Sequence, residues 1–413
     1  MADRIPDPVE AKKYLSRKAI VETEDWDDLK WGEHAHAFTV AHSRNAGVLN
    51  EIFGLLNKAM ADGESFNKFK KEMRGLMEDA GWYGRSDKGP DDKDYINWRT
   101  QLIYHTNMST AYHAGRYRQQ LRGAELRPIW VYLSQLVGDN RREDHIALHD
   151  KAFPFDDPFW NSNYPKNGWG CECEVVTLSI SGAEREGVEV LHSDSDGNPP
   201  TMIDKKGRAI DWDKFTPTTW RYNPGREALA PNFRSYTNLA NCRMGDGRSA
   251  LAHVAERYRQ DMDGTRLTSG EFDAIVRRMN EKDYTPQGIN YQIGNLDRQR
   301  HEAMIKNKID DSKIMAADSD LYHGIADKNA RQKIPQDQFK KLYQMLQTPE
   351  KIFEETNLDH PRQGRVFHFV HDTHDGKVLK VVLKQQLPTT ALRIVTMAWV
   401  EDHYGDARYK KIW

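Results

Sequence analysis

Apolar positions recur every three or four residues over much of the first half of the chain, which is the spacing of one face of an α-helix. Between residues 31 and 77 this pattern predicts two helices, because Gly63 is a suitable helix stop and Ser65 a suitable N-cap. A third, longer helix is predicted over about residues 95–122. We therefore expect the N-terminal region to be mostly helical.

Segments rich in β-branched and aromatic residues predict strands elsewhere. Two of them, "RPIWVYLSQL" and "CEVVTLSI", lie before and at the end of a loop-rich segment, 141–180. Near the C-terminus, "RVFHFVHDTHDGKVLKVVLKQ" predicts a hairpin because Asp375-Gly376 favours a tight turn, and "LRIVTMAWVED" predicts a third strand. Residues 245–345 alternate helical stretches with polar breaks. The predicted fold class is therefore α+β.

The length and the turn-rich stretches divide the chain into parts. A chain of 413 residues is too long for one ordinary domain and suggests two or three. We predict a polar N-terminal segment at 1–29, a mostly helical domain with small β elements at 30–225, a helical connector at 226–311, and a small α+β domain at 312–413.

Composition narrows the class of protein. Sixty basic and 62 acidic side chains leave a formal net charge of −2, so any contact with nucleic acid has to be local. Three cysteines cannot form a disulfide framework, which favours an intracellular, reducing setting. The N-terminus has no apolar signal core, and no stretch reaches the roughly 18 apolar residues of a spanning helix. We expect a soluble protein without a membrane partner, unless it is assembled into something larger.

Two histidines and two cysteines near the middle of the chain form a candidate metal site. His145 and His149 precede Cys171 and Cys173, and two imidazoles with two thiolates suit a tetrahedral zinc ion. The single residue between the cysteines is shorter than the usual spacing of a zinc knuckle. In the alternative interpretation the cysteines are buried small apolar residues and the histidines are hydrogen-bonded. A redox disulfide is disfavoured by the strain of a Cys-x-Cys bridge. Zinc is thus the one cofactor that these residues suggest.

Three blocks in this region resemble the phage Mu F-like head morphogenesis family of minor capsid proteins. The blocks are "IYHTNMSTAYHAGRYRQ", "DHIALHDKAFPFDDPFW" and "PKNGWGCECEV", and their order and spacing match the family. The resemblance covers about residues 30–225, where "WRYNPG" is similar to the family's usual exit. The chain departs from the family at His149-Asp150, where His/Asp-Gly is usual, and at Glu172, which stands in place of an arginine.

The resemblance implies a virion component of a tailed bacteriophage. Such a protein would be a minor head protein, present in a few copies, associated with the portal and the procapsid and needed for viral capsid assembly. Its partners would be the portal and other head proteins, with DNA or RNA as further candidates. Its location would be the phage head in the virion and the host cytoplasm during assembly. The role implied is primarily structural, and enzymatic activity stays open.

The C-terminal region, about residues 312–404, resembles the phage-associated group of barnase, EndoU, colicin and RelE-like nuclease domains. The likeness rests on the order of elements: helices, a proline-containing bridge, a hairpin and a strand that carries a threonine. It implies metal-independent RNA cleavage, in which a base, an acid and a cation converge on one phosphodiester. An alternative function is therefore a virion-delivered ribonuclease or toxin effector, and ordinary surface or strand roles are the other interpretation of its candidate residues. The candidate catalytic residues are His323, Lys328, Lys384 and Thr396.

Overall fold

The structure is a computed structural model in which two compact units can be distinguished, residues 1–257 and 258–413. Helices and sheets are both abundant, which confirms the predicted α+β class. No helix in the described part of the chain is long and apolar enough to cross a membrane. The structure describes residues 8–30, 32–43, 45–137, 142–203, 207–212, 220–229, 239–281, 284–305, 312–326, 334–335, 338–356, 364–372, 376–386 and 391–413.

Long helices dominate the N-terminal unit, as the apolar spacing predicts. Gly63 ends the third helix with a φ of 67°, and the Ser65 side chain accepts a hydrogen bond from the backbone N–H of Lys68 at the start of the fourth. Both predicted boundaries are therefore confirmed. The described helices are α1 (Val9–Ser16), α2 (Glu33–His36), α3 (Ala46–Asp62), α4 (Phe66–Ala80), α5 (Lys93–Arg122), α6 (Glu143–Ala147), α7 (Trp160–Asn163), α8 (Ile180–Glu186) and α9 (Pro224–Leu229).

Helix α1 lies within residues 1–29, which are predicted to be a polar N-terminal segment. Its apolar residues Ala11, Tyr14 and Leu15 follow the i, i+3, i+4 spacing of one helix face, and all three are buried. The helix packs closely on α5 at Gly115, where an added Cβ would lie 3.0 Å from the backbone nitrogen of Ala11. The polar start of the chain is thus part of the N-terminal core.

Two small sheets accompany these helices. Strands β1 (Ala19–Ile20) and β2 (Ala37–Phe38) form a parallel pair. The second sheet is antiparallel, with the order β4 (Lys151–Pro154), β3 (Ile129–Leu133), β5 (Glu174–Leu178). Strands β3 and β5 confirm the two predicted here, whereas β4 lies in the segment predicted to be loop-rich.

The C-terminal half of α5 packs beside the antiparallel sheet. The Gln120 side chain donates a hydrogen bond of 2.8 Å to the carbonyl oxygen of Val175 in β5. The same side chain accepts one of 2.7 Å from the hydroxyl of Tyr164, just after α7. Helix α5 therefore fixes the position of the segment that leads into β5.

A seven-stranded sheet organises the C-terminal unit. Its order is β12-β8-β9-β10-β11-β7-β6, and every neighbouring pair is antiparallel except β11 and β7. The strands are β6 (Asn290–Asn295), β7 (Lys313–Ala317), β8 (Lys351–Glu355), β9 (Val366–Asp372), β10 (Lys377–Gln385), β11 (Leu392–Glu401) and β12 (Tyr409–Lys411). The remaining described helices are α10 (Ala250–Met262), which spans the boundary between the two units, α11 (Ser269–Met279), α12 (Arg298–Ile305), α13 (Asp318–Ile325) and α14 (Phe339–Gln347).

The predicted hairpin and third strand are confirmed as β9, β10 and β11. Gly376 has a φ of 77°, which suits a tight turn, while Asp375 lies outside the described residues. Strand β6 differs from prediction, because it lies in the segment predicted as a helical connector. Its sequence, "NYQIGN", is short and half polar, and it becomes a strand through pairing with β7 and burial of Tyr291 and Ile293.

Candidate metal centre

Three of the four predicted metal ligands converge beside the antiparallel sheet. His145 Nδ1 lies 3.3 Å from Cys173 Sγ and 3.8 Å from Cys171 Sγ. The three ligand atoms lie within 4.8 Å of one another, and all three side chains are buried. Within the described residues this is the one group of three or more histidine, cysteine or acidic side chains arranged to hold a metal ion.

A glycine-rich turn positions the two cysteines. Gly170 has a φ of 66°, a left-handed conformation that favours glycine, and the backbone N–H of Cys171 donates to the carbonyl oxygen of Gly168 at 3.1 Å. Cys173 follows two residues later, directly before β5. Glu172 between them is exposed, so the departure from the family's arginine lies on the outward side of this turn, away from the two sulfurs.

Arginine 142 joins this turn to the short helix α6, which carries His145. The Arg142 Nη2 group donates a hydrogen bond of 2.7 Å to the carbonyl oxygen of Trp169. A Cβ added to Gly168 would lie only 3.2 Å from the same nitrogen. The absence of a side chain at Gly168 therefore lets the guanidinium approach and hold α6 against the cysteine turn.

The structure places His149 outside the group. Its Nδ1 accepts a hydrogen bond of 3.1 Å from the backbone N–H of Ser134, the residue after β3. Its Nε2 lies 3.4 Å from an oxygen of Asp150. His149 therefore fixes the loop to the end of β3, and the four predicted ligands reduce to three that meet.

The pKa values of the two thiols are shifted in opposite directions. The pKa of Cys171 lies well below its usual value because of hydrogen bonds from Cys173 and His145, against the effect of burial. The same hydrogen bond and burial raise the pKa of Cys173. The pair thus favours a thiolate at Cys171 that is hydrogen-bonded by the thiol of Cys173.

Other polar groups surround the sulfurs. The Ser134 hydroxyl lies 3.8 Å from Cys173 Sγ. Lys166 is buried, and burial lowers its pKa while the two cysteines raise it. Asn167, fully buried, donates to the Tyr132 hydroxyl at 3.0 Å. The sequence gives little sign of these neighbours, because lysine and asparagine are mostly surface residues.

The candidate catalytic residues lie in the C-terminal unit. His323 is exposed on α13, Lys384 is half-buried on β10, and Thr396 is half-buried on β11. Met397 packs against Gly324 of α13, where an added Cβ would lie 3.0 Å from Met397 Cβ. Lys328 lies outside the described residues.

The part of the chain that matches a known family contains the three candidate metal ligands. Residues 50–176 match the model of the family described as "Phage Mu protein F like protein". The Mu F-like resemblance is confirmed for this span. It runs from within α3 into β5 and includes His145, Cys171 and Cys173. It ends before the C-terminal unit, so it supports no nuclease-like domain there.

Two curated relatives extend the comparison. The chain is 36% identical over 177 residues to the "Mu-like prophage FluMu F protein" of Haemophilus influenzae, which covers 42% of each chain. It is 31% identical over 284 residues to the "Putative capsid assembly protein F" of Escherichia phage Mu, which covers 63% of each chain. The chain thus spans less than two thirds of either relative. No solved structure matches it.

Proposed function

We propose that the chain is a minor head protein that acts in the capsid assembly of a tailed bacteriophage. The observation that carries this proposal is the similarity to the "Putative capsid assembly protein F" of Escherichia phage Mu over 284 residues. That aligned length is more than twice the span of the family match, so the similarity extends well beyond one motif. Under this proposal the chain resides in the phage head, and in the host cytoplasm during assembly.

Two exposed aromatic side chains on α5 support contacts with other head proteins, the portal among them. Trp98 is 55% exposed and Tyr112 is 52% exposed. They are 14 residues apart, which is two heptads, so both lie along one face of the helix. Tryptophan and tyrosine contribute strongly to protein interfaces when a partner covers them. We assign this aromatic face of α5 to a partner in the head or portal.

Deletion of the coding sequence from the phage or prophage that carries it tests the function. We expect heads to be missing or aberrant by electron microscopy, and a plasmid copy to restore them. Normal, DNA-filled heads in the deletion strain would overturn the proposal. The double substitution Trp98→Ala with Tyr112→Ala tests the aromatic face, with Leu126→Ala as the control because Leu126 is 80% exposed but lies beyond α5.

Ribonuclease activity remains a prediction without a supporting observation. The C-terminal unit combines helices with a sheet, in which His323 lies on α13 and Thr396 on β11. A general base and an acid must reach the same phosphodiester to cleave it. Incubating RNA with the full-length protein and with its His323→Ala variant tests this alternative, and cleavage by the unaltered protein alone would support it.

A further inference from the structure

We propose that His145, Cys171 and Cys173 bind one zinc ion, which ties α6 to the start of β5. This site goes beyond the proposed role in capsid assembly and does not depend on it. Its first support is that the side chains come from two separate parts of the chain, His145 from α6 and the two cysteines from the turn before β5. Cys173 is 28 residues from His145, and Cys171 is 26.

The distances from His145 Nδ1 to the two sulfurs fit one tetrahedral ion. With zinc–sulfur bonds of about 2.3 Å and a zinc–nitrogen bond of about 2.0 Å, tetrahedral angles place nitrogen about 3.5 Å from each sulfur and the sulfurs about 3.8 Å apart. The observed separations from His145 Nδ1 to the sulfurs are 3.3 and 3.8 Å. The two nitrogen–sulfur separations thus lie within a few tenths of an ångström of the tetrahedral value, and all three atoms lie within 4.8 Å of one another.

The ligand types select zinc over the alkaline earth ions. Two thiolates and an imidazole are soft or borderline donors, whereas calcium and magnesium require carboxylate, carbonyl or water oxygen. Two thiolates also balance the charge of a divalent ion in a buried site. The Cys173 thiol donates to the Ser134 hydroxyl oxygen at 3.8 Å, so Ser134 is the polar neighbour that positions this sulfur.

The burial of the group indicates a structural centre. His145 and Cys173 are each 2% exposed, and Cys171 is 6% exposed, so the three side chains are shielded from solvent. The described residues supply three of the four ligands of a tetrahedral site. Since metal binding is coupled to the folded arrangement of its ligands, the ion stabilises the packing of α6 against the start of β5.

Metal analysis of the purified full-length protein tests the proposal. After reconstitution with zinc and removal of the excess, we expect about one zinc per chain. His145→Ala and Cys173→Ser should each lower the zinc content at least tenfold. His149→Ala and Cys242→Ser are the matched controls, because both residues lie outside the group, and both variants should keep the zinc. A zinc-free protein, or equal zinc in all five proteins, would overturn the proposal.

A spectroscopic measurement on the unaltered protein tests the site even if the variants fail to fold. Zinc X-ray absorption should show two sulfur neighbours at about 2.3 Å with nitrogen or oxygen completing the shell. Cobalt in place of zinc should give a thiolate-to-cobalt charge-transfer band. A shell without sulfur, or no charge-transfer band, would contradict the site.

Discussion

The Asn223 side chain donates a hydrogen bond of 2.8 Å to the carbonyl oxygen of Trp160, across 63 positions of the chain. The oxygen of the same amide accepts from the backbone N–H groups of Gly225 and Arg226, 2.9 and 3.0 Å away, and so caps α9. Asn223 is buried. One side chain thus joins the aromatic segment of the Mu F-like span to the "WRYNPG" segment beyond it.

Because α9 packs closely on α5, we predict that Gly225→Ala lowers the free energy of unfolding. The added Cβ would clash with Cβ and the ring of Tyr117 in α5. We expect a loss of about 1–3 kcal/mol in the free energy of unfolding, as in other overpacked cores. Gly75→Ala is the control because nothing lies within 4 Å of its added Cβ inside α4, and it should stabilise by about 0.5–1 kcal/mol. Calorimetry that finds the two substitutions equal would contradict this packing.

The loop after β4 depends on one buried carboxylate. Asp157 accepts hydrogen bonds from the backbone N–H groups of Phe159, at 2.9 Å, and Ser193, at 3.2 Å. Asp157→Ala leaves these donors without the carboxylate and should lower the free energy of unfolding by about 2 kcal/mol. Its exposed neighbour Asp156→Ala should change it by less than about 0.5 kcal/mol. Chemical denaturation of both variants measures the difference, and similar losses would argue against the role of Asp157.

A buried lysine predicts a pH dependence of stability. Burial and then the charge of Arg17 lower the pKa of Lys18 to about 7, and its ammonium group donates to the carbonyl oxygen of His34. The unfolded chain, with a lysine pKa of about 10.4, binds more protons than the folded chain between about pH 7 and 10. Lys18 therefore makes the free energy of unfolding rise with pH in that window, by up to about 1.4 kcal/mol per pH unit.

Lys18→Met removes this contribution while keeping a flexible apolar side chain. The unfolding free energy of the unaltered protein, minus that of the variant, should be constant below about pH 7 and increase from about pH 7 to 10. The exposed Lys13→Met variant on α1 controls for the loss of a positive charge. A difference that stays constant or falls over that window would rule out a buried, proton-linked Lys18.

The sequence predicts those elements whose signals are local. Gly63 and Ser65 mark a helix end and a helix start because capping depends on the residues themselves. Strand β6 escapes prediction because its short, half-polar sequence becomes a strand only through pairing with β7. Helix α1 is not predicted because its three buried residues are too few to give a clear periodic pattern.

The sequence predicts that histidine and cysteine form the candidate metal centre, but it does not predict which of the two histidines belongs to it. The glycine-rich turn before β5 brings Cys171 and Cys173 together, and the sequence signals that turn. His145 and His149 are equivalent in sequence, and the backbone N–H of Ser134 distinguishes them by bonding His149. That hydrogen bond depends on the end of β3, a long-range feature that side-chain spacing does not encode. The burial of Lys166 is likewise a tertiary effect.

Quantitative mass spectrometry of purified procapsids and mature heads tests the central claim most directly. The particles should come from the phage or prophage whose genome carries this coding sequence, separated by gradient sedimentation. A minor head protein is expected in a few copies per particle in the procapsid fraction, together with portal and major head proteins. Absence of the chain from every head fraction, while it is abundant in the free protein fraction, would contradict the account.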